Sequence, residues 1–358
     1  MRLKQTVCLI ATISLFQSAS YAGAAFPADS VSQTNSLVVG PEELGILLTP
    51  SELFKIDLDR KLEKKAAEED MIKDYLTLRT VQQLLHKTET FMSPEEKSLS
   101  VLNQLQHQYE MAKDWKSLAL VLNTYAVYYG KEGDLEKSLK FFKESFQAEE
   151  RLKDRSSAAQ TSETIAAISK FLQKYDDAVF YYEQNAQINM AQRKANQIAE
   201  AYLKIADIKA VQKKYAEAER YVLRKAFPIF QRMGNKNGRL SCFESLAEIY
   251  HQQNRLSEAK WFCLQASTLA DKLHNLPAQV TSLMKVARIK NEAGETEMAL
   301  KDYTTAELLA RQHSFKAQLV EIKGDVAEIY RKKGNYNAAG IALDEYNQLK
   351  SSLLNGSM

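Results

Sequence analysis

The 358 residues carry 48 Lys and Arg against 45 Asp and Glu, a formal charge of +3, with 45% hydrophobic residues and three cysteines. That is enough apolar material for a large core, too small a positive excess for a general nucleic-acid binder, and far too few cysteines for a disulfide scaffold.

Arg2 and Lys4 precede an apolar run from Thr6 to Phe16, and Ser20 and Ala22 put small residues where a signal peptidase cuts. Residues 1–22 are therefore expected to be a cleaved export signal, and the product periplasmic or secreted. The run is too short for a bilayer span, which needs roughly 20 apolar residues. Cys8 lies inside it, so it carries no lipoprotein signature. Processing removes Arg2 and Lys4 and no acid, so the formal charge falls from +3 to +1. No later segment is apolar enough to span a membrane. Residues 23–48 read as a flexible leader. Thr49, Pro50 and Glu52 have the order of a helix start, with a capping hydroxyl, a first-turn proline and a returning carboxylate. Residues 49–79 are expected to form two N-terminal capping helices, with Leu58, Leu62 and Ala66 and then Met71, Tyr75 and Leu78 at helical spacing.

From about residue 80 the pattern repeats. Ala126, Ala166, Ala206, Ala247, Ala287 and Ala327 follow one another at intervals of 40, 40, 41, 40 and 40 residues. Each has a small partner twelve residues on: Ser138, Ala178, Ala218, Ala259, Ala299 and Ala339. Sixteen residues after each anchor stand Phe142, Tyr182, Val222, Cys263, Tyr303 and Leu343. Small residues facing each other across a turn let two antiparallel helices approach closely, and larger ones fill the space beside them. Gly133, Asn254, Gly294 and Gly334 supply turn signals between the two helices. One such hairpin cannot bury its own apolar face, so neighbours must stack. A weaker unit with His86 and Ser98 at the anchor positions, and Pro94 opening its second helix, is expected to cap the stack. The repeat region is placed at 80–354, as one degenerate and six recognisable units.

These residues resemble the tetratricopeptide repeat family, whose framework is matched in the fourth clear unit by Phe243, Leu246, Ala247, Tyr250, Ala259 and Ala266. The resemblance implies an all-α, right-handed α–α superhelical solenoid. The period is 40 rather than the family's usual 34, and the step across the turn is unchanged, so the extra residues are expected in the second helix and its connection onward. The resemblance also implies a ligand groove lined by first helices. Counting six and three residues before each anchor, and one after, gives eighteen groove positions. Seven are acidic, Glu163, Glu200, Asp207, Glu244, Glu248, Glu321 and Glu328, and one is basic, Arg288. The overall composition would give about two or three acids. A concave acidic surface would attract a basic segment of a protein or peptide partner. The alternative is an ordinary solvated helix face, with Lys170, Arg288 and Arg331 near enough to neutralise part of it. The Lys and Asn of a carboxylate clamp are not at these positions.

Cys242 and Cys263 stand at matching heights on one hairpin and are expected as two buried thiols rather than a disulfide. Glu248 and His251, like Asp271 and His274, have a metal-site spacing but no companion motif to face. No phosphate loop, metalloprotease motif or nucleophile elbow appears. The sequence thus points to a non-enzymatic scaffold outside the cytoplasm that binds protein or peptide along its concave face, with no cofactor and no metal. A free-standing sensory module, resembling the ectodomain repeats of bacterial sensor kinases, is the second reading, and a hydrolase the third. Oligomeric state is left open.

Overall fold

The computed structural model describes residues 54–65, 81–86 and 99–355, and among these every regular element is helical. The chain divides into two units, Met1–Leu76 and Thr77–Met358. The expected export signal, the leader, the Thr49 helix start, the join after residue 65 and the Pro94 start lie outside the described residues.

In the first unit, α1 (54–65) buries Leu58 and Leu62, one turn apart. The second unit opens with α2 (81–86), which buries Val81 and Leu85 while His86, the expected anchor of the degenerate repeat, is exposed. Leu85 lies over Gly130, where an added Cβ would fall 2.7 Å from the leucine Cδ1. After α3 (Leu99–Ala112) six hairpins follow. Their first helices are α4 (Trp115–Lys131), α6 (Arg155–Phe171), α8 (Ala195–Val211), α11 (Lys236–Gln252), α13 (Leu276–Glu292) and α15 (Lys316–Lys332). Their second helices are α5 (Leu135–Leu152), α7 (Tyr175–Ala191), a composite of α9 (Tyr215–Arg220) and α10 (Phe227–Arg232), then α12 (Leu256–Lys272), α14 (Thr296–Gln312) and α16 (Tyr336–Asn355). From α3 onward each helix packs on its chain neighbours, and α8 meets α11 as α13 meets α15, which is the stacking of a solenoid.

All six anchors and all six small partners are buried. Close backbone approach leaves no room for a larger side chain there, and the residues sixteen beyond the anchors are buried beside them. Ser138 replaces an alanine without penalty because its hydroxyl donates to the Ala126 carbonyl at 2.7 Å.

Each helix ends on one residue in the left-handed conformation. Within hairpins this residue is Gly133, Gln173, Lys213, Asn254, Gly294 and Gly334, and between hairpins Lys113, Lys153, Arg193, Gly234, His274 and Ser314. The following amide then donates to the carbonyl five residues back, as Asn335 does to Tyr330 at 2.9 Å, and the open carbonyls of the helix end are satisfied. Asp114, Asp134, Asp154, Asn235, Asn275 and Asn335 cap the helices that start next.

First helices are 17 residues long, and so are α7, α12 and α14. The extra length over the usual repeat is therefore shared by both helices and not confined to the second, as the sequence had suggested. The interval of 41 also finds its place. Between α9 and α10 the helix passes through a π turn, Tyr221–Ala226, which absorbs one added residue. Pro228 follows it. A proline there has no amide to donate and would crowd the carbonyl of Arg224, so widening the helix relieves both problems.

Candidate ligand groove

The groove positions come from the first helices and are joined across repeats by a regular ladder. The residue one after an anchor reaches the residue two before the next anchor. Asp207 accepts from the Ser245 hydroxyl at 3.3 Å, Glu248 faces Lys285 at 3.8 Å, and Arg288 pairs with Asp325 at 2.7 Å. These two offsets meet at each of the last three joints. In the sixth repeat Glu328 is bridged by Arg331 at 2.7 Å. Four of the eight proposed residues are thus tied into the scaffold.

Three others are not. Among the described residues Glu163, Glu200 and Glu244 make no hydrogen bond or ion pair, although they lie on three consecutive first helices, α6, α8 and α11. Burial raises the Glu200 pKa and the negative charge of Glu163 raises it further, with Lys204 acting against both. Burial raises that of Glu244, opposed by Lys285. Asp207 is also raised, by burial first, with Lys170, Lys204 and the Ser245 hydroxyl pulling it down. Glu321 is exposed, and its charge helps hold the Arg288 guanidinium protonated.

These carboxylates line two clefts. One, of about 500 Å³, runs across α6, α8, α11 and α13 past Glu200, Asp207, Glu244 and Glu248, with Lys170, Lys204 and Lys285 on its walls. The other, of about 480 Å³, lies among α6, α7 and α8 and holds Glu163 and Glu200 above Tyr182, Asn185 and Asn189. Charge in the first is close to balanced. Lys204 and Lys285, two residues before their anchors, are the cations that counting from the family groove positions overlooks; that offset becomes visible only once the ladder is known.

No protein-family model matches the chain, and no curated protein does. Solved structures do. The signal-transduction ATPase with numerous domains from Pyrococcus horikoshii, which carries a tetratricopeptide repeat sensor, aligns with 86% of this chain and 49% of its own, at 14% identity and a TM-score of 0.51. The fold is a tetratricopeptide-type solenoid. The bacterial kinesin-light-chain-like protein BtubC from P. vanneervenii covers 62% of this chain and 93% of its own at 17% identity, TM-score 0.48. A Rap protein complexed with competence and sporulation factor covers 86% and 99% at 13% identity, TM-score 0.47. At these identities the likeness concerns architecture.

Within this tetratricopeptide-type solenoid the remaining candidates take structural places. Cys242 and Cys263 are free and buried, and burial pushes their thiols up to about 12 and about 11. They remain protonated and unreactive at neutral pH. The His251 Nε2 meets Glu292 at 2.6 Å while Glu248 turns to Gln252 and Lys285, so the two residues of that motif serve different partners. Among the described residues no three metal-ligating side chains gather.

Proposed function

We propose that the chain is a non-enzymatic binding scaffold that takes a basic, extended protein or peptide segment along the groove of its first helices. The observation that carries this reading is the contrast within the groove: charged side chains on the ladder are paired, while Glu163, Glu200 and Glu244 stand on successive helices without a partner. Glu200 and Glu244, whose pKa values burial raises, are stabilised by an incoming cation, and all three carboxylates gain a charge-assisted hydrogen bond that the folded chain itself does not supply.

The test is fluorescence anisotropy with labelled basic and acidic peptides of equal length. Tight, salt-sensitive binding of the basic peptide is expected, weakened by about a hundredfold or more when Glu163, Glu200 and Glu244 are all changed to Lys, since each contact to a charged group contributes about 1.5 kcal/mol or more. Equal binding of the acidic peptide, or no effect of the triple change, would overturn the reading. An extracytoplasmic site of action belongs to the same proposal, supported by the basic start, the apolar run and the small residues before position 23. Mass measurement of the secreted product, with loss of residues 1–22, tests it.

A further inference from the structure

Tyr182 and Tyr303 occupy the same repeat position, sixteen residues after their anchors. Tyr303 donates its hydroxyl to Asp325 at 2.9 Å. Asp325 stands two residues before the next anchor, and the residue with that offset beside Tyr182 is Lys204, which offers no acceptor. The Tyr182 side chain is 5% exposed, lines the cleft among α6, α7 and α8, and its hydroxyl makes no hydrogen bond to any described residue. The hydroxyl faces the open cleft, where solvent or a ligand can engage it.

A second group shares the situation. Asn189, 3% exposed, donates its amide to the Asn185 side-chain oxygen at 2.9 Å, and its own carbonyl receives no donor from the protein. Asn185 is fixed in turn, donating to the Ala159 carbonyl at 2.6 Å. This floor is rigid and presents an acceptor. Above it stand Glu163 and Glu200, close enough for the Glu163 charge to disfavour that of Glu200. Lys194 and Lys204 also line this cleft, and Lys204 is shared with Asp207 of the neighbouring one.

We propose that this cleft is a subsite for the cationic head of a basic side chain, guanidinium or ammonium, held between the Glu163 and Glu200 carboxylates and by the Tyr182 hydroxyl oxygen and the Asn189 carbonyl. Four acceptors around a pocket of this size match the several N–H donors that such a head carries. A cation placed between the two carboxylates also removes their mutual repulsion. A planar guanidinium can engage Glu163 in two parallel bonds and still reach the floor, so arginine is the better fit. The inference rests on the groove reading above and names where in the groove one basic side chain is anchored.

The experiment uses the full chain after processing, with labelled hexa-arginine, hexa-lysine and hexa-glutamate as probes, and the variants Tyr182→Phe, Glu163→Gln and Glu244→Gln. Hexa-arginine is expected to bind most tightly, with a loss of about tenfold in Glu163→Gln and a few-fold loss in Tyr182→Phe, as removal of charged and neutral contacts respectively would give. Tyr182→Phe should unfold at the wild-type temperature, because its hydroxyl has no partner in the folded chain. If hexa-arginine binds and only Glu244→Gln weakens it, the groove reading stands and the subsite is wrong. If hexa-glutamate binds best, or no probe binds, both readings fail. A fall in the unfolding temperature of Tyr182→Phe comparable to that of Tyr303→Phe also overturns the subsite, since the hydroxyl would then have an internal role.

Discussion

Two joints of the solenoid share one geometry and have opposite endings. Between the fifth and sixth clear repeats, Arg288, Tyr303 and Asp325 form a closed triad in which one carboxylate accepts from both the guanidinium and the phenol. Burial works against the Arg288 charge and Asp325 more than offsets it, while burial and Asp325 together hold the Tyr303 hydroxyl protonated. Between the second and third repeats the same offsets hold Ala167, Tyr182 and Lys204, and nothing closes. The repeat offsets of the three positions are the same at both joints. The difference teaches that in a repeat fold the scaffold fixes which positions meet, and only the residue types at those positions decide whether a joint is self-satisfied or available to a ligand.

The joint before both offers the largest effect. Glu149 on α5 is 1% exposed and accepts from Thr161 at 3.0 Å and Asn123 at 3.1 Å. Burial pushes it up to about 7 against the pull of those hydrogen bonds, from an ordinary value of 4.5. Its folded pKa lies above the unfolded one, so the folded state holds the proton that the unfolded state gives up. Its contribution is complete below the ordinary glutamate value and is lost as pH rises through about 7, a span worth about 3 kcal/mol. Urea unfolding across that range should show stability falling with pH in the wild type and a much flatter profile in Glu149→Gln. A slope unchanged by the substitution would remove Glu149 as its source.

Next comes the closed joint. Asp325→Ala strands Arg288 and leaves the Tyr303 hydroxyl without an acceptor, and should cost about 2 to 3 kcal/mol. Lys204→Ala, at the equivalent position of the open joint, should stay within about 0.5 kcal/mol. Similar losses at both sites, measured by thermal unfolding, would erase the distinction. The smallest effect is the most diagnostic. Ala167→Arg with Lys204→Asp rebuilds the triad around Tyr182 and should add about 1 kcal/mol while abolishing hexa-arginine binding. A stabilised variant that still binds would show that the open joint is not the binding one.

The repeat was legible because alanine at a constant interval has a single physical meaning, close helix contact, and all six anchors are buried. The turns within and between hairpins were half legible. Gly133, Gly294 and Gly334 announce a left-handed residue, whereas Lys113, Lys153, Arg193 and Ser314 adopt the same conformation with no compositional sign. The acidic groove positions could be counted, but not which of them are spent. Pairing between an offset of one and an offset of minus two depends on the rotation from one hairpin to the next, which no single interval encodes. Tyr182 was read as packing for the same reason: its side chain is buried, and only the missing partner at Lys204 sets it apart.

The π turn before Pro228 has a consequence for how this chain can be shortened or lengthened. Excising or duplicating a block of 40 residues keeps every anchor in phase across four of the five intervals, so the units they span are interchangeable modules. Across the unit that holds the wide turn the block is 41, and a cut of 40 there would leave the following helix one residue out of step, a rotation of about 100°. That would carry its alanine seam away from the neighbouring helix. The sequence therefore contains one punctuation mark that tandem recombination cannot cross freely, and it lies within the later of the two repeats whose joint is open.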